Sequence, residues 1–186
     1  MAIGADASAT ASGLGSFGLA FGESTRATAT GTRNLAAAFG RGSTAEASNG
    51  NQNTAIASGD TSAALATNGN GNTARSSGIR AGAIAQNGNR HSASSFGTDI
   101  GAIAEGSDAQ GVGTGNNNRS FAIGNRSGAI AQNGSNNRAF TLGTNSGSFA
   151  KDGNRNSATT IGNNSSATAT GNGTRVTTVG DNRTRP

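Results

Sequence analysis

The stretch SATASGLGSFGLAFGESTRATATG (residues 8–31) holds the pattern that decides the fold. Alanine recurs at every second position, as at Ala9 and Ala11, and each short run ends at a glycine. The same stretch contains GLGSFG (residues 13–18), which matches the glycine pattern of dinucleotide-binding loops. The stretch is therefore either a cofactor loop or one unit of a long repeat.

The whole chain continues this pattern in steps of nine, or sometimes ten, residues. Aligning each unit on its closing residue, usually Gly and otherwise Asn or Asp, gives twenty units. The positions four and two residues before the closing residue are almost uniformly small and never charged, whereas the positions one and three before it are mixed. A period of two indicates a strand, so the small residues are predicted to face inward and the mixed residues outward.

A unit of nine residues has room for a five-residue strand and a tight turn, but not for a strand and a helix. We therefore predict a single all-β domain over residues 1–186, a parallel β-solenoid in the form of a flattened β-roll. Each coil of about 18–19 residues would hold two short strands around an Ala-lined interior. Twenty units correspond to about ten coils, and a spacing of ~4.8 Å per coil predicts a rod of roughly 45–50 Å.

A polar column six residues before most of the closing residues supports the stacking of coils. It alternates between Ser or Thr and Asn, as in Ser43, Asn53, Ser62 and Asn72. Stacked coils would place these side chains in hydrogen-bonded ladders at the two edges of the rod. His91, the only histidine, falls in this column and is predicted to take the place of a ladder residue. Four aspartates are predicted to lie in turns, namely Asp60, Asp99, Asp108 and Asp181.

The composition gives no support for an enzyme. The chain has no Cys, Tyr or Trp and a single His, which excludes a disulfide framework and thiolate metal sites, and the carboxylates do not cluster as a zinc site would need. A dinucleotide loop requires a helix after the glycines and an acidic residue about twenty positions later. Here Gly13 closes a unit and Gly18 takes an inward position, so we predict no cofactor, no metal and no catalytic activity.

The chain is basic, with a net charge of +5 from thirteen Arg and one Lys against nine acidic residues. Arginine-rich surfaces favour anionic partners such as acidic glycans, although such charge also simply confers solubility. No Tyr or Trp accompanies the arginines, so no specific nucleic-acid binding is predicted. The candidate polyanion-binding residues are those at or near predicted turns: Arg26, Arg33, Arg41, Arg126, Arg155 and Arg175.

No apolar run reaches membrane-spanning length. The repeat begins directly after Met1, so no signal peptide is visible in this chain. We expect that an exported form would carry its signal and its anchor outside this sequence.

Large apolar side chains occupy many outward positions, which indicates an interface. These outward apolar residues form a stripe along the rod. They fall in odd-numbered units in the first half of the chain and in even-numbered units in the second half, so the stripe is predicted to change sheets near residues 60–115. Twist of the solenoid, or a misplaced parity after an insertion, would give the same appearance. The predicted self-association residues, which would join copies into an oligomer or filament, are Leu19, Phe21, Phe39, Ile56, Ile84, Ile103, Phe121, Ile123, Phe140, Leu142, Ile161 and Val179.

Three stretches resemble the head repeats of trimeric autotransporter adhesins, which read roughly S-V-A-I-G-x-x-S-x-A-x-G: AIGADASATASG, LAFGESTRATATG and FAIGNRSGAIA. The hydrophobic pairs that flank alanine in that family match Leu19 with Phe21 and Phe121 with Ile123. The resemblance covers nearly the whole chain in kind and implies a left-handed parallel β-roll. The coil is longer here than in the family, and no stalk, neck or anchor is present, so the architecture carries over better than the trimeric state. Curli-type and phage-fibre repeats show a fainter similarity.

These patterns predict a non-enzymatic, extracellular or cell-surface structural or adhesive protein that self-associates through its apolar stripes. Two alternatives remain open. One is an ice-binding solenoid, since Thr28 and Thr30 form a regular rank, although Glu46 and Arg75 interrupt the outward columns. The other is a fibre module of a phage or secretion device that binds host glycans along its edges.

Overall fold

The computed structural model describes residues 1–106 and 115–186, which contain twenty β-strands and no helix. The strands alternate between two parallel sheets of ten strands each, so every coil contributes one strand to each sheet. Sheet A contains β1 (Ala2–Ile3), β3 (Phe17–Phe21), β5 (Leu35–Arg41), β7 (Thr54–Asp60), β9 (Thr73–Ile79), β11 (Ser92–Thr98), β13 (Arg119–Asn125), β15 (Arg138–Thr144), β17 (Ser157–Ile161) and β19 (Arg175–Val179).

Sheet B contains β2 (Ser8–Ser12), β4 (Arg26–Thr30), β6 (Thr44–Ala47), β8 (Ala63–Thr67), β10 (Gly82–Gln86), β12 (Gly101–Glu105), β14 (Gly128–Ala131), β16 (Gly147–Lys151), β18 (Ser166–Thr170) and β20 (Thr184–Arg185). The parallel β-solenoid predicted from the alternating alanines is thus confirmed, with two strands in each coil.

The register of the strands gives the coil length. Phe17 pairs with Leu35, and Leu35 pairs with Thr54. The hydrogen bonds beside these pairs span 18 positions from Ser16 to Asn34 and 19 positions from Asn34 to Asn53. The additional residue lies in the half-coil that leads from sheet B back to sheet A, and the predicted coil length is confirmed.

One coil is longer than the others. Ser92 of β11 pairs with Arg119 of β13, and the hydrogen bond beside this pair, from Asn118 to His91, spans 27 positions instead of 19. The difference equals the eight residues 107–114, which lie outside the described residues, as does the predicted turn residue Asp108. Because β11 pairs directly with β13 and β12 directly with β14, the described ladder of neither sheet has a rung for the predicted unit that closes at Gly115.

Because of this longer coil, every unit after it lies on the opposite sheet from the one that counting the units predicts. Phe121 and Ile123 lie on β13, and Phe140 and Leu142 on β15, so all four belong to sheet A. They share that sheet with Leu19 and the other apolar residues of the first half. The predicted change of sheets is therefore wrong for Phe121 and the apolar residues after it, and the misplaced parity after an insertion is the explanation. Ile84 and Ile103, before the insertion, lie on sheet B as the unit count predicts.

The interior is a thin slab lined with alanine, as predicted. Ala36 and Ala38 of β5 and Ala45 and Ala47 of β6 are completely buried. At Gly18, an added methyl group would lie 2.8 Å from the carbonyl oxygen of Thr10 in the opposite sheet. Burying one methyl-sized group contributes only about 0.8 kcal/mol, whereas ordering one residue costs about 1–2 kcal/mol. The hydrogen bonds of the ladders must therefore supply much of the stability.

Candidate functional site

The turns that lead from sheet B to sheet A form one long edge of the rod, which we term the asparagine edge. Asn72 shows how its buried ladder works. The Asn72 backbone N–H donates to Oδ1 of Asn53 at 2.9 Å, and the Asn72 Nδ2 donates to the carbonyls of Thr67 and Gly88, both at 3.0 Å. Each buried ladder residue of this edge likewise donates its backbone N–H to the side chain of the ladder residue one coil before: Asn34, Asn53, Asn72, His91, Asn118, Asn137 and Asn156.

His91 takes the place of an asparagine in this ladder, as predicted. Its backbone N–H donates to Oδ1 of Asn72 at 3.0 Å, and its Nδ1 accepts the backbone N–H of Asn118 at 3.2 Å. An acceptor at Nδ1 assigns the proton of the neutral ring to Nε2. Nε2 faces the carbonyls of Asn87 and Gly115 without a well-aligned hydrogen bond. The larger imidazole thus bridges the rungs at the longer coil.

Burial of the His91 ring sets its titration. Desolvation lowers the pKa of His91 below its ordinary value of 6.5, and the carbonyls of Gly115 and Asn87 and the charge of Glu105 oppose that shift. The neutral form is therefore the form that the ladder holds, because a protonated Nδ1 could not accept the Asn118 N–H.

A second, exposed ladder runs along the same edge, and the sequence analysis missed it. The backbone N–H of Asn51 donates to Oδ1 of Asn70, that of Asn70 to Asn89, and that of Asn89 to Asn116, each at 3.0 Å. Ser135 and then Asn154 continue the ladder in the second half. Its signal in the sequence is a polar residue two positions before each buried ladder residue, as in the motif N-G-N-x-N.

The turns that lead from sheet A to sheet B form the opposite edge, which we term the serine edge. Ser62 donates its hydroxyl to the carbonyl of Gly78 at 2.8 Å, and Ser43, Ser127, Ser146 and Ser165 make the equivalent bond to the next coil. The predicted ladders at the two edges are therefore confirmed, with amides at one edge and hydroxyls at the other. Between Ser62 and Ser127, the same positions hold the buried apolar residues Ala81 and Ile100.

The serine edge also carries two ion pairs between successive coils. Arg41 Nη2 lies 2.8 Å from Asp60 Oδ2, and Arg80 Nη2 lies 2.7 Å from Asp99 Oδ2. Hydrogen bonds from these guanidinium groups hold the pKa values of both carboxyl groups below their ordinary range. Asp99 and Asp181 lie in turns as predicted, whereas Asp60 is the last residue of β7, directly before its turn.

The six arginines predicted to bind polyanions do not come together. Arg33 and Arg155 lie on the asparagine edge, and Arg41 and Arg126 lie on the serine edge. Arg26 begins β4 on sheet B, and Arg175 begins β19 on sheet A. The predicted set is thus distributed over both edges and the starts of two strands, and polyanion binding by these residues stays a prediction.

Ten of the twelve predicted self-association residues lie on sheet A. Phe21 stacks on Phe39 with ring centroids 5.7 Å apart, and Phe121 stacks on Phe140 with centroids 5.5 Å apart. Arg75, on β9 between these two pairs, occupies the outward position that pairs with Ile56 of β7. One outward position forms a continuous run over β11 to β19, which we term the apolar column: Phe96, Ile123, Leu142, Ile161 and Val179.

The remaining two predicted residues, Ile84 and Ile103, lie on sheet B. They pair with each other and with Leu65 and Ile130 of the neighbouring strands. All four side chains are half-buried. The sheet B apolar residues thus form a single, less exposed central row.

GLGSFG spans the turn between β2 and β3 and continues into β3, where Gly18 faces the interior. A strand follows these glycines where a dinucleotide loop requires a helix. The threonine rank of sheet B pairs Thr10 with Thr28 and Ser12 with Thr30, and Glu46 occupies the next rung.

No group of three or more His, Cys, Asp or Glu side chains is placed to hold a metal ion within the described ranges 1–106 and 115–186. In the same part of the chain, no helix is long and apolar enough to cross a membrane. No family model, no curated protein and no solved structure matches this chain.

Proposed function

We propose that this is a non-enzymatic structural or adhesive repeat protein of the cell surface or extracellular space, and that copies of it self-associate through sheet A. One observation carries the proposal. Within the described strands, every large apolar side chain that is exposed lies on sheet A: Ile3, Phe17, Ile79, Phe96, Leu142, Ile161 and Val179. Contiguous exposed apolar surface on a rigid scaffold is typical of an interaction site.

The apolar column suits a second copy of this chain as its occupant. Its five side chains belong to successive strands and are therefore spaced by ~4.8 Å along the rod. A second copy presents the same side chains at the same spacing, so two such columns can interdigitate. Full burial of a large apolar side chain contributes about 1.5–3 kcal/mol, so several half-exposed ones together offer a substantial driving force.

Two features support the proposed role at the cell surface: the rod shape of the solenoid and the resemblance to adhesin head repeats. A solenoid grows by one coil at a time into a stiff rod, which suits spacing, coating or adhesion. The resemblance to adhesin head repeats favours the same role and an extracellular location.

Sedimentation velocity over a range of protein concentrations, together with negative-stain electron microscopy, tests the self-association. We expect the unmodified chain to form oligomers or filaments, and a Leu142→Thr/Ile161→Thr variant to remain monomeric. Threonine keeps the strand propensity while it removes apolar area. The matched control is Ile84→Thr/Ile103→Thr on sheet B, which should assemble like the unmodified chain. An unmodified chain that stays monomeric at millimolar concentration, or an equal loss in both variants, would contradict the proposal.

A further inference from the structure

We infer that a linear anionic polysaccharide binds along a row of five arginines where the asparagine edge meets the strands of sheet A, in the second half of the rod. This site is separate from the apolar column and does not depend on the self-association proposed above. The residues, which we term the arginine row, are Arg90, Arg119, Arg138, Arg155 and Arg175.

The arginine row has one member in each of five successive coils. Arg119 pairs directly with Arg138, and Ser157 stands between Arg138 and Arg175 in the same ladder. Arg155 lies two residues before Ser157, and Arg90 lies two residues before Ser92, the partner of Arg119. Neighbouring coils are ~4.8 Å apart, so the row extends over roughly 19 Å. The long coil between β11 and β13 brings Arg90 next to Arg119, which the spacing in the sequence does not reveal.

The guanidinium groups of the arginine row are accessible to an external anion. All five residues are exposed. Within the described residues, the ion pairs of the protein involve Arg41, Arg80 and Lys151, and no member of the row. The nearby carboxylates at this edge already have partners, since Asp152 accepts from Nδ2 of Asn133 and Glu105 accepts from Nδ2 of Asn87. The ion pairs of the described residues therefore leave the five guanidinium groups of the row available to an external anion.

Amide groups beside the row add donors for a ligand rich in hydroxyl and acidic groups. Oδ1 of Asn89 accepts both the backbone N–H and one side-chain N–H of Asn70. The second N–H of such a ladder amide is then available to donate to a ligand. A cleft of about 510 Å³ is lined by Arg90 and amides that include Asn89 and Asn117. A similar cleft of about 520 Å³ is lined by Arg155 with Asn136, Asn154, Asn172 and Gly173.

The aromatic residues beside the row favour a polysaccharide over a nucleic acid. Single-stranded nucleic acids bind proteins largely by stacking bases on free aromatic faces. Phe121 and Phe140 each lie two residues after a member of the row, Arg119 and Arg138, and their rings stack on each other with centroids 5.5 Å apart. The ring of Phe96 lies beside that of Phe121, with centroids 5.6 Å apart. Both rings are half-buried and in contact with other phenylalanine rings, so charge and amide hydrogen bonding are the main means of recognition.

Binding of the full chain to three probes tests the inference: heparin as a sulfated polysaccharide, polygalacturonate as a carboxylated one, and a single-stranded oligothymidine. We expect at least one of the polysaccharides to bind more tightly than the oligothymidine, and the comparison between them identifies the acidic group. An Arg90→Gln/Arg119→Gln/Arg138→Gln/Arg155→Gln variant should lose about tenfold or more in polysaccharide affinity. The dependence of log affinity on log salt should become shallower, because the variant releases fewer counterions on binding.

The matched control removes the same charge elsewhere, in an Arg26→Gln/Arg75→Gln/Arg126→Gln/Arg183→Gln variant. This control should bind nearly as tightly as the unmodified chain. Equal losses in both variants, tighter binding of oligothymidine, or no polysaccharide binding by the unmodified chain would overturn the inference.

Should the row variant fail to fold, phenylglyoxal modification of the unmodified chain decides instead. Bound polysaccharide should protect Arg119 and Arg138 but not Arg26, and equal protection of all three would overturn the inference.

Discussion

The two edges of the rod satisfy the same turn backbone with different side chains. On the asparagine edge, one carboxamide donates two hydrogen bonds and accepts another, as Asn72 does with Thr67, Gly88 and His91. On the serine edge, one hydroxyl has a single proton, which Ser62 directs at the carbonyls of Ser58 and Gly78. The amide therefore has a separate N–H donor for each of two carbonyls, whereas the hydroxyl has one proton for both.

This difference explains which edge tolerates apolar substitutes. The serine edge contains Ala81 and Ile100 in its ladder positions. Between Asn34 and Asn156, the described asparagine edge departs from Asn only at His91, which supplies a ring nitrogen as acceptor. Turns with more unsatisfied backbone groups therefore require a side chain with more hydrogen-bonding groups.

The edges also differ in the residue that closes each repeat unit. On the serine edge that residue is Gly with a φ above +100°, as at Gly59 (φ 124°). On the asparagine edge it is often Asn near φ +50°, as at Asn68 (φ 53°), followed by Gly. Asparagine tolerates the left-handed region near +50°, whereas only glycine adopts the serine-edge geometry without strain.

The largest effect is expected at the closing glycines of the serine edge. In Gly59→Ala, the new methyl group would lie 2.1 Å from the carbonyl oxygen of Gly78 in the next coil, so the ladder must open. We expect a loss of roughly 4 kcal/mol or more in the free energy of unfolding, measured by urea denaturation. Gly82→Ala is the control, because nothing lies within 4 Å of its added methyl group. A Gly59→Ala protein as stable as the control would disprove the close stacking of the turns.

The next largest loss of stability is expected at the buried ladder residues, where one substitution on each edge allows a direct comparison. Asn72→Ala removes the partner of two buried carbonyls and of the His91 N–H, and should cost about 3 kcal/mol or more. Ser62→Ala removes one donor at the serine edge and should cost about 1 kcal/mol. The same urea titrations measure both. Equal costs at the two positions would show that the edges are equivalent and that the amide has no special role.

The sequence was sufficient to predict the repeat, the inward alanines and the two polar ladders, because each depends on a local period. Strand alternation requires Ala27 and Ala29 to share a face, whatever the rest of the chain does. The Asn and Ser column was recognisable because stacking repeats the same contact in every coil. The separation of Asn and Ser onto different edges follows from the same period and is already contained in their alternation.

What the sequence did not reveal depends on long-range register. The residues before Gly115 have the glycines and small residues of another unit, so counting places Phe121 on the wrong sheet. Only the pairing of Ser92 with Arg119 shows that this coil is longer. The same pairing brings Arg90 next to Arg119, so the arginine row was missed for the same reason that the apolar stripe was misplaced.

A smaller, pH-dependent effect is expected at His91. Its pKa is lowered in the folded chain, so below about pH 6.5 the unfolded chain binds a proton that the folded chain does not. Stability should therefore be fully present above that pH and fall as the pH decreases through the window beneath it, by at most about 1.4 kcal/mol per pH unit. His91→Asn should abolish this dependence between roughly pH 5 and 7, where ordinary carboxyl groups remain ionised. Parallel urea titrations of both proteins at several pH values provide the measurement, and identical pH profiles would show that His91 is not buried as described.

The smallest effect is expected at the ion pairs that distinguish the serine edge. The Arg41 and Asp60 side chains are 68% and 39% exposed, so water and salt screen their attraction. We expect Asp60→Asn to leave the urea midpoint at pH 7 almost unchanged. The lowered pKa of Asp60 means that any contribution of the pair is present near neutral pH and is lost only as the pH falls below the ordinary value of 3.8. A clear loss of stability at pH 7 would instead mean that the ladder of Ser43 and Ser62 depends on these charges. In that case, the serine hydroxyls alone would not be sufficient to stabilise this edge. The ion pair of Arg80 and Asp99 would then have to compensate for the missing hydroxyls at Ala81 and Ile100.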